Sequence, residues 1–279
     1  MTTAPTVLAL ALLLSMLAGS TWVAAAPVSF SATGQDPAAI QTTVDAFRAA
    51  LGDPNNGNAP GPLPTGRREI NWDGTGALVA APAGNPFNGF VNNRGAQFQT
   101  PGTGFLQAPP TGAPGSFDAI NATYATTFAP FSLPRLFSAI GSPITDVFFF
   151  IPGTGGTVPA TVGGFGAIFS DVDLPDSSSL QFFDPLGASL GQFFVPPASG
   201  DADFSFLGVI FNAGEQIFRV RMTAGNTALG PTDNPLANVD VAVLDDLFYR
   251  EPQAVPEPAT ALLLTIGVIA LAGRLTRGR

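Results

Sequence analysis

Gln216-Ile217-Phe218-Arg219-Val220-Arg221-Met222-Thr223 decides the fold class of this chain. Apolar and charged side chains alternate from Phe218 to Met222, the period of a strand with one face in a core and one in water. The pattern predicts Phe218, Val220 and Met222 inward, with Arg219 and Arg221 in solvent. A second alternation follows at 238–249, where Val239, Val241 and Val243 share a face opposite Asp240 and Ala242.

Working outward, further strand candidates lie at 117–128, 144–151, 164–170, 179–184, 191–195 and 205–212. Most are bounded by Gly, Pro, Asp or Asn at spacings near those of a β-sandwich. Phe148-Phe149-Phe150, Phe182-Phe183 and Phe193-Phe194 are runs, not alternations. They imply strands buried on both faces, or an outward ring covered by a loop. Twenty-four Phe against two Tyr and two Trp assign the aromatics mainly to the core. Sugar platforms draw more on Trp and Tyr, which argues against an obvious aromatic carbohydrate site. The stretch 179–191 has the form of a hairpin, with an Asp184-Pro185 turn and Gly187 at positive φ. That strand, Asp-x-x-Gly, strand pattern resembles one found in galactose-binding-like jelly rolls. The fold expected over 67–252 is mainly β, a β-sandwich or jelly-roll-like body.

One helix precedes it, within an N-terminal segment spanning 26–66. Asp36 is a suitable N-cap, Pro37 fits the first helical position, and Ile40, Val44, Phe47 and Leu51 form one stripe ended by Gly52. Residues 52–66 are too rich in Gly, Pro and Asn for a regular element. Residues 67–72 read as a first strand. From 74 to 115 short apolar pieces predict long loops around two or three brief strands, anchored by Phe87, Phe90, Phe98 and Phe105.

Composition removes much chemistry. The chain has no Cys and no His, and all eleven basic residues are Arg. Disulfides, thiol chemistry, His-based triads and His- or Cys-built zinc and copper sites are therefore excluded. The net charge of −9 disfavours nucleic acid and suits divalent cations. Asp171, Asp173 and Asp176 form the densest acidic cluster, in a loop after a strand. Carboxylates at i, i+2 and i+5 can converge on Ca²⁺, although the EF-hand pattern is missing. A solvated turn whose Asp side chains bond their own backbone fits the same residues. Asp245 and Asp246 could complete such a site from the last strand. A glycosidase would need paired carboxylates, and the body offers few Glu. Glu215 reads as a turn residue, Glu69 suits a binding edge beside Arg67 and Arg68, and Glu251 is the third. Asn121-Ala122-Thr123 matches a glycosylation sequon by chance.

Both termini read as addresses. An apolar stretch over 7–18, followed by Ala24-Ala25-Ala26, predicts a signal peptide over 1–25 for signal peptidase. At the other end, Val255-Pro256-Glu257-Pro258 precedes an uncharged apolar segment over 259–273. Arg274, Arg277 and Arg279 close the chain. Fifteen helical residues rise about 22 Å against a hydrocarbon core of about 30 Å, which suits a transient anchor. The arginines should stay cytoplasmic, leaving the body outside.

This C-terminal arrangement over 255–279 resembles the PEP-CTERM sorting signal of Gram-negative bacteria. The resemblance implies processing by an exosortase, a membrane protease-transpeptidase, in cells that make extracellular polysaccharide. The stretch 163–251 also resembles the body of exported PEP-CTERM proteins, with Gly-Phe-Gly before Asp171-Val172-Asp173 and Asp245-Asp246-Leu247-Phe248-Tyr249 at its end. The function expected is that of a non-enzymatic surface or extracellular-matrix protein, structural or adhesive, in contact with polysaccharide. Its precursor would be held transiently in the inner membrane. The alternatives are a calcium-dependent carbohydrate-binding module of jelly-roll type and, from a third class, a carboxylate-based glycan hydrolase.

Overall fold

A computed structural model describes residues 26–74, 78–80 and 82–255. The predicted signal peptide, Pro256, Glu257, Pro258, the apolar segment 259–273 and the arginine tail lie outside the described residues. Among those described, no helix is long and apolar enough to cross a membrane.

The chain is mainly β and antiparallel. It opens with β1 (Val28–Gly34) and α1 (Pro37–Leu51), then β2 (Arg67–Ile70), β3 (Phe87–Phe90), α2 (Val91–Arg94), β4 (Ala96–Gln99) and β5 (Gly104–Ala108). After the short α3 (Tyr124–Thr127) come β6 (Leu136–Ile140), β7 (Ile144–Phe149), β8 (Ala160–Thr161) and β9 (Gly164–Ser170). The remainder is β10 (Ser179–Phe183), β11 (Ser189–Phe194), β12 (Phe204–Ile210), β13 (Arg219–Thr223), β14 (Val243–Arg250) and β15 (Gln253–Ala254). One sheet runs β1-β12-β9-β14-β6-β5, with β2 also paired to β14; a second runs β11-β10-β13-β7-β4-β3; β15 and β8 form a small third.

The two large sheets share one apolar core. Phe165, Ala167 and Phe169 of β9 and Leu207 and Val209 of β12 belong to the same buried cluster as Phe98, Val147, Phe149, Leu180, Phe182, Val220 and Met222 of the second sheet. Trp72 stacks flat on Phe137 at 3.8 Å within it, and its indole N–H donates to the Asp245 carbonyl. The buried polar tip is thereby satisfied.

Helix α1 forms as its sequence predicts. Asp36 accepts a hydrogen bond from the Ala39 amide at 2.9 Å, and Gly52 ends the helix at φ +113°. Its stripe of Ile40, Val44, Phe47 and Leu51 packs on the outer face of the first sheet, against Ile168, Phe204, Phe206, Ile210 and Phe248. Gly166 and Gly208 make room: a Cβ on either would lie 2.6 Å from the Phe47 ring. Covered on both faces, β9 and β12 are buried along their whole length. Their composition is accordingly near-continuous in apolar and small residues.

Four expectations need correction. Residues 117–128 do not form a strand. They make a 3₁₀ turn at Phe117–Ala119 and then α3. Phe117, Tyr124 and Phe128 pack with Leu106, Ala108, Leu136, Val241 and Val243. Those rings recur at intervals of seven and four, a helical spacing that an apolar count conceals.

The last strand begins only at Val243, because Asp240 is drawn inside to bind a loop. In the decisive stretch, Val220 and Met222 are buried as expected, but Ile217 takes the third inward place and Phe218 is only half-buried. Ile217 bridges to Val162, while the Phe218 ring packs edge-on against Phe148 at 5.9 Å. Arg219 and Arg221 are not free in solvent either. Both bind Asp146 of β7, at 3.2 Å and at 2.9 and 2.8 Å, and Arg219 lies 3.7 Å over the Phe183 ring.

Candidate metal centre

Strand β9 delivers its last residue, Ser170, to the edge of the core, and the chain turns at once. Asp171 adopts φ +70°, a left-handed conformation that Asp tolerates better than most side chains. Its amide donates to the Asp203 carbonyl at 2.9 Å, tying the turn to the loop before β12. Its carboxylate is fully buried, and neither oxygen has a hydrogen-bond partner among the described residues. A buried carboxylate left this way costs several kcal/mol unless it is neutralised or meets a cation.

The cation ligands are at hand. Asp171, Asp173 and Asp233 each present a carboxylate oxygen, and the three atoms lie within 4.8 Å of one another. Two oxygens on one Ca²⁺ are separated by at most twice a bond of about 2.4 Å. The spacing therefore fits a shared ion. The donor set is all oxygen, which suits Ca²⁺ and disfavours softer metals. Asp233 is oriented by the Val241 amide at 2.8 Å.

Asp240 builds the frame. Fully buried, it accepts from the Asp173 amide at 3.5 Å, the Leu174 amide at 3.2 Å and the Ser177 hydroxyl. Its carbonyl accepts from the Asn226 and Thr227 amides at 2.9 and 3.1 Å. Gly225, at φ +68°, lets these strands of chain meet, since a Cβ there would lie 2.3 Å from the Asp240 carbonyl oxygen. The 171–177 loop thus takes its shape from a residue far along the sequence.

The electrostatics follow from the crowding. Burial, reinforced by the charges of Asp233, Asp173, Asp201 and Asp240, pushes the Asp171 carboxyl up to about 9. Burial and the adjacent Asp233 push Asp173 up to about 7. Asp233 and Asp240 are raised as well, again chiefly by burial. A cation would reverse this by stabilising the ionised forms, so binding would release protons.

Of the residues singled out in the sequence, Asp171 and Asp173 are brought together. Asp176 is not. It is exposed, and Asp233 stands in the cluster instead. No local spacing signals Asp233, because its loop and that of Asp171 are joined only by the fold. Asp245 and Asp246 do not complete this centre. They sit at a register shift in β14, where Asp245 accepts from the Phe131 and Ser132 amides and Asp246 from the Ser132 hydroxyl at 2.7 Å.

The three glutamates of the body have other occupations. Glu251 is buried in a two-pronged ion pair with Arg68 at 2.7 Å and also holds Asn56 and the Leu63 amide. Glu69 pairs with Arg67 at 2.7 Å and with Arg48 at 3.2 Å. Glu215 closes a turn on the Ala213 amide. No family model, curated protein or solved structure matches this chain. The site must speak through its own chemistry.

Proposed function

We propose that this chain is an exported, exosortase-processed surface or extracellular-matrix protein, non-enzymatic, with a structural or adhesive role linked to exopolysaccharide. We read its body as a β-sandwich of jelly-roll type, braced by one calcium ion at Asp171, Asp173 and Asp233. The sandwich reading rests on a core shared by two antiparallel sheets. The export reading rests on the apolar N-terminus, the Pro-Glu-Pro motif and the arginine tail.

The calcium reading rests on one observation: among the described residues, both oxygens of a fully buried Asp171 lack a partner, beside two further carboxylates. An ion here would pin the loop after β9 to the loop before the last strand. Extracellular calcium would then stabilise the folded body. The same centre lends weight to a second reading, a calcium-dependent carbohydrate-binding module. The two differ in whether chelation merely softens the protein or abolishes glycan retention. Each of the three glutamates is engaged in an ion pair or a turn.

Thermal melting tests the metal. Calcium at about a hundred times its dissociation constant should add about 2.7 kcal/mol over the EDTA-treated protein. Asp233→Asn should abolish the difference, and Asp176→Asn should leave it intact. Identical melting curves with calcium and with EDTA would reject the metal centre.

A further inference from the structure

A second concavity lies away from the metal centre. Helix α1, the end of β2 and the register shift in β14 enclose a predominantly polar cleft of about 340 Å³. Arg48, Glu69, Asn71, Arg94, Ser132 and Asp246 line it, and Phe131 supplies one apolar wall.

These groups are held in place before any ligand arrives. Glu69 is gripped by Arg67 and Arg48, and Arg48 also contacts Asp45 at 2.9 Å and Asp246 at 4.0 Å. Arg94 donates to the Glu69 carbonyl at 2.9 Å and to Asn58. Asp246, almost wholly buried, is anchored by the Ser132 hydroxyl, which also meets Asp73 at 2.8 Å.

The register shift explains how two consecutive acids enter a strand of otherwise apolar character. A bulge lets neighbouring residues escape strict alternation and re-aims a side chain. Burying Asp245 beneath Asp246 is costly for stability. Asp245 secures the 131–132 corner, and that corner forms the cleft wall. The cost therefore maintains a shaped polar surface.

The charge pattern selects the ligand class. Two arginines face two acids, and each arginine already serves an internal acceptor. The lining therefore carries no net charge to draw in an anion, while Arg94, held by neutral oxygens, adds donors. What remains is hydrogen-bonding capacity on planar amides, carboxylates and a hydroxyl, set beside one aromatic ring. We propose that this cleft binds a neutral polyhydroxylated ligand, a hexose unit of a glycan, through Asn71, Glu69, Asp246 and Ser132 with Phe131 against its apolar face. The cleft shares no residue with the metal centre, so the inference does not depend on calcium.

Saturation-transfer NMR on the full chain, in EDTA, tests it. The probes are glucose, galactose, mannose and cellobiose, with glucuronate as the anionic control and serine as the zwitterionic one. At least one neutral sugar should receive saturation and the two controls should not. Asn71→Ala, at an exposed position, should weaken that sugar about tenfold, the scale of one or two lost hydrogen bonds, without changing the melting temperature. Asp246→Asn should weaken it too. The proposal fails if no neutral sugar responds, if glucuronate or serine binds better, or if Asn71→Ala binds the sugar as well as the parent chain does.

Discussion

Asp171 concentrates the chemistry of this protein in one side chain. Its carboxyl is pushed up to about 9 by burial and by neighbouring acids, and that of Asp173 to about 7. In the unfolded chain both would ionise near pH 4. Between those values the folded, metal-free protein holds more protons than the unfolded one, so its stability falls as pH rises. In EDTA the melting temperature should therefore decline from about pH 5 to about pH 8, and Asp171→Asn should flatten much of that slope. With calcium in excess the decline should disappear, because the ion takes the place of the protons. A flat curve in EDTA would mean that Asp171 is ionised and hydrated. The Asp-Val-Asp run at 171–173 is legible in the sequence as a cation candidate. Asp233 is not, because its partner carboxylates lie in a loop distant along the chain.

At the scale of elements, turn chemistry and burial decide what can be read. Helix α1 was fully legible from its cap, its stripe and its terminal glycine. Strands β7, β9, β10 and β12 were legible from apolar runs cut by turn residues, and β9 is matched residue for residue. The Asp184-to-Gly187 turn closes as its composition predicts, with Gly187 at φ +83° and the Asp184 carboxylate accepting from two amides at 2.8 Å. By contrast, the edge strand β1 was not read, although Val28, Phe30 and Ala32 alternate with Ser29, Ser31 and Thr33; Phe30 and Ala32 pack toward α1. From β13 back to the bridge before it, the inward set runs Met222, Val220, Ile217, an odd step that a period of two does not supply. Ile217→Ala should cost about 2–5 kcal/mol in urea unfolding. Phe218→Ala should cost distinctly less, since its ring rests half-exposed on Phe148. The reverse order would restore strict alternation.

At the scale of the whole molecule, the last described strand ends at Ala254, just before the proposed sorting motif. Glu251 is locked to Arg68 inside the protein, and β15 pairs Gln253 with Thr161 and Ala254 with Ala160. Breaking a buried pair of this kind strands a charge, which fixes the end of the body firmly. Cleavage beyond Ala254 would leave every described strand in place. If 255–258 is an exosortase motif, replacing Pro256, Glu257 and Pro258 by alanine should leave a full-length, membrane-bound precursor. The body of that precursor should melt as the processed body does. Normal maturation of that variant would remove the exosortase from the account.

The sequence alone determined the local matters: the helix and its cap, strands β2, β7 and β9 to β13, the acidic loop after β9 and the excluded chemistries. It did so because caps, turns and burial on two faces leave their mark within a few neighbouring residues. Only the tertiary structure decided the rest. It brought Asp233 rather than Asp176 beside Asp171, turned Asp240 inward, covered the sheet with 117–128 and gathered Glu69, Asn71, Ser132 and Asp246 around one cleft. Those relations join loops that are distant in sequence, and they are set by how two sheets and a helix close on a common core. No periodicity carries such information, because a side chain's partner across a fold is chosen by packing and not by its neighbours in the chain.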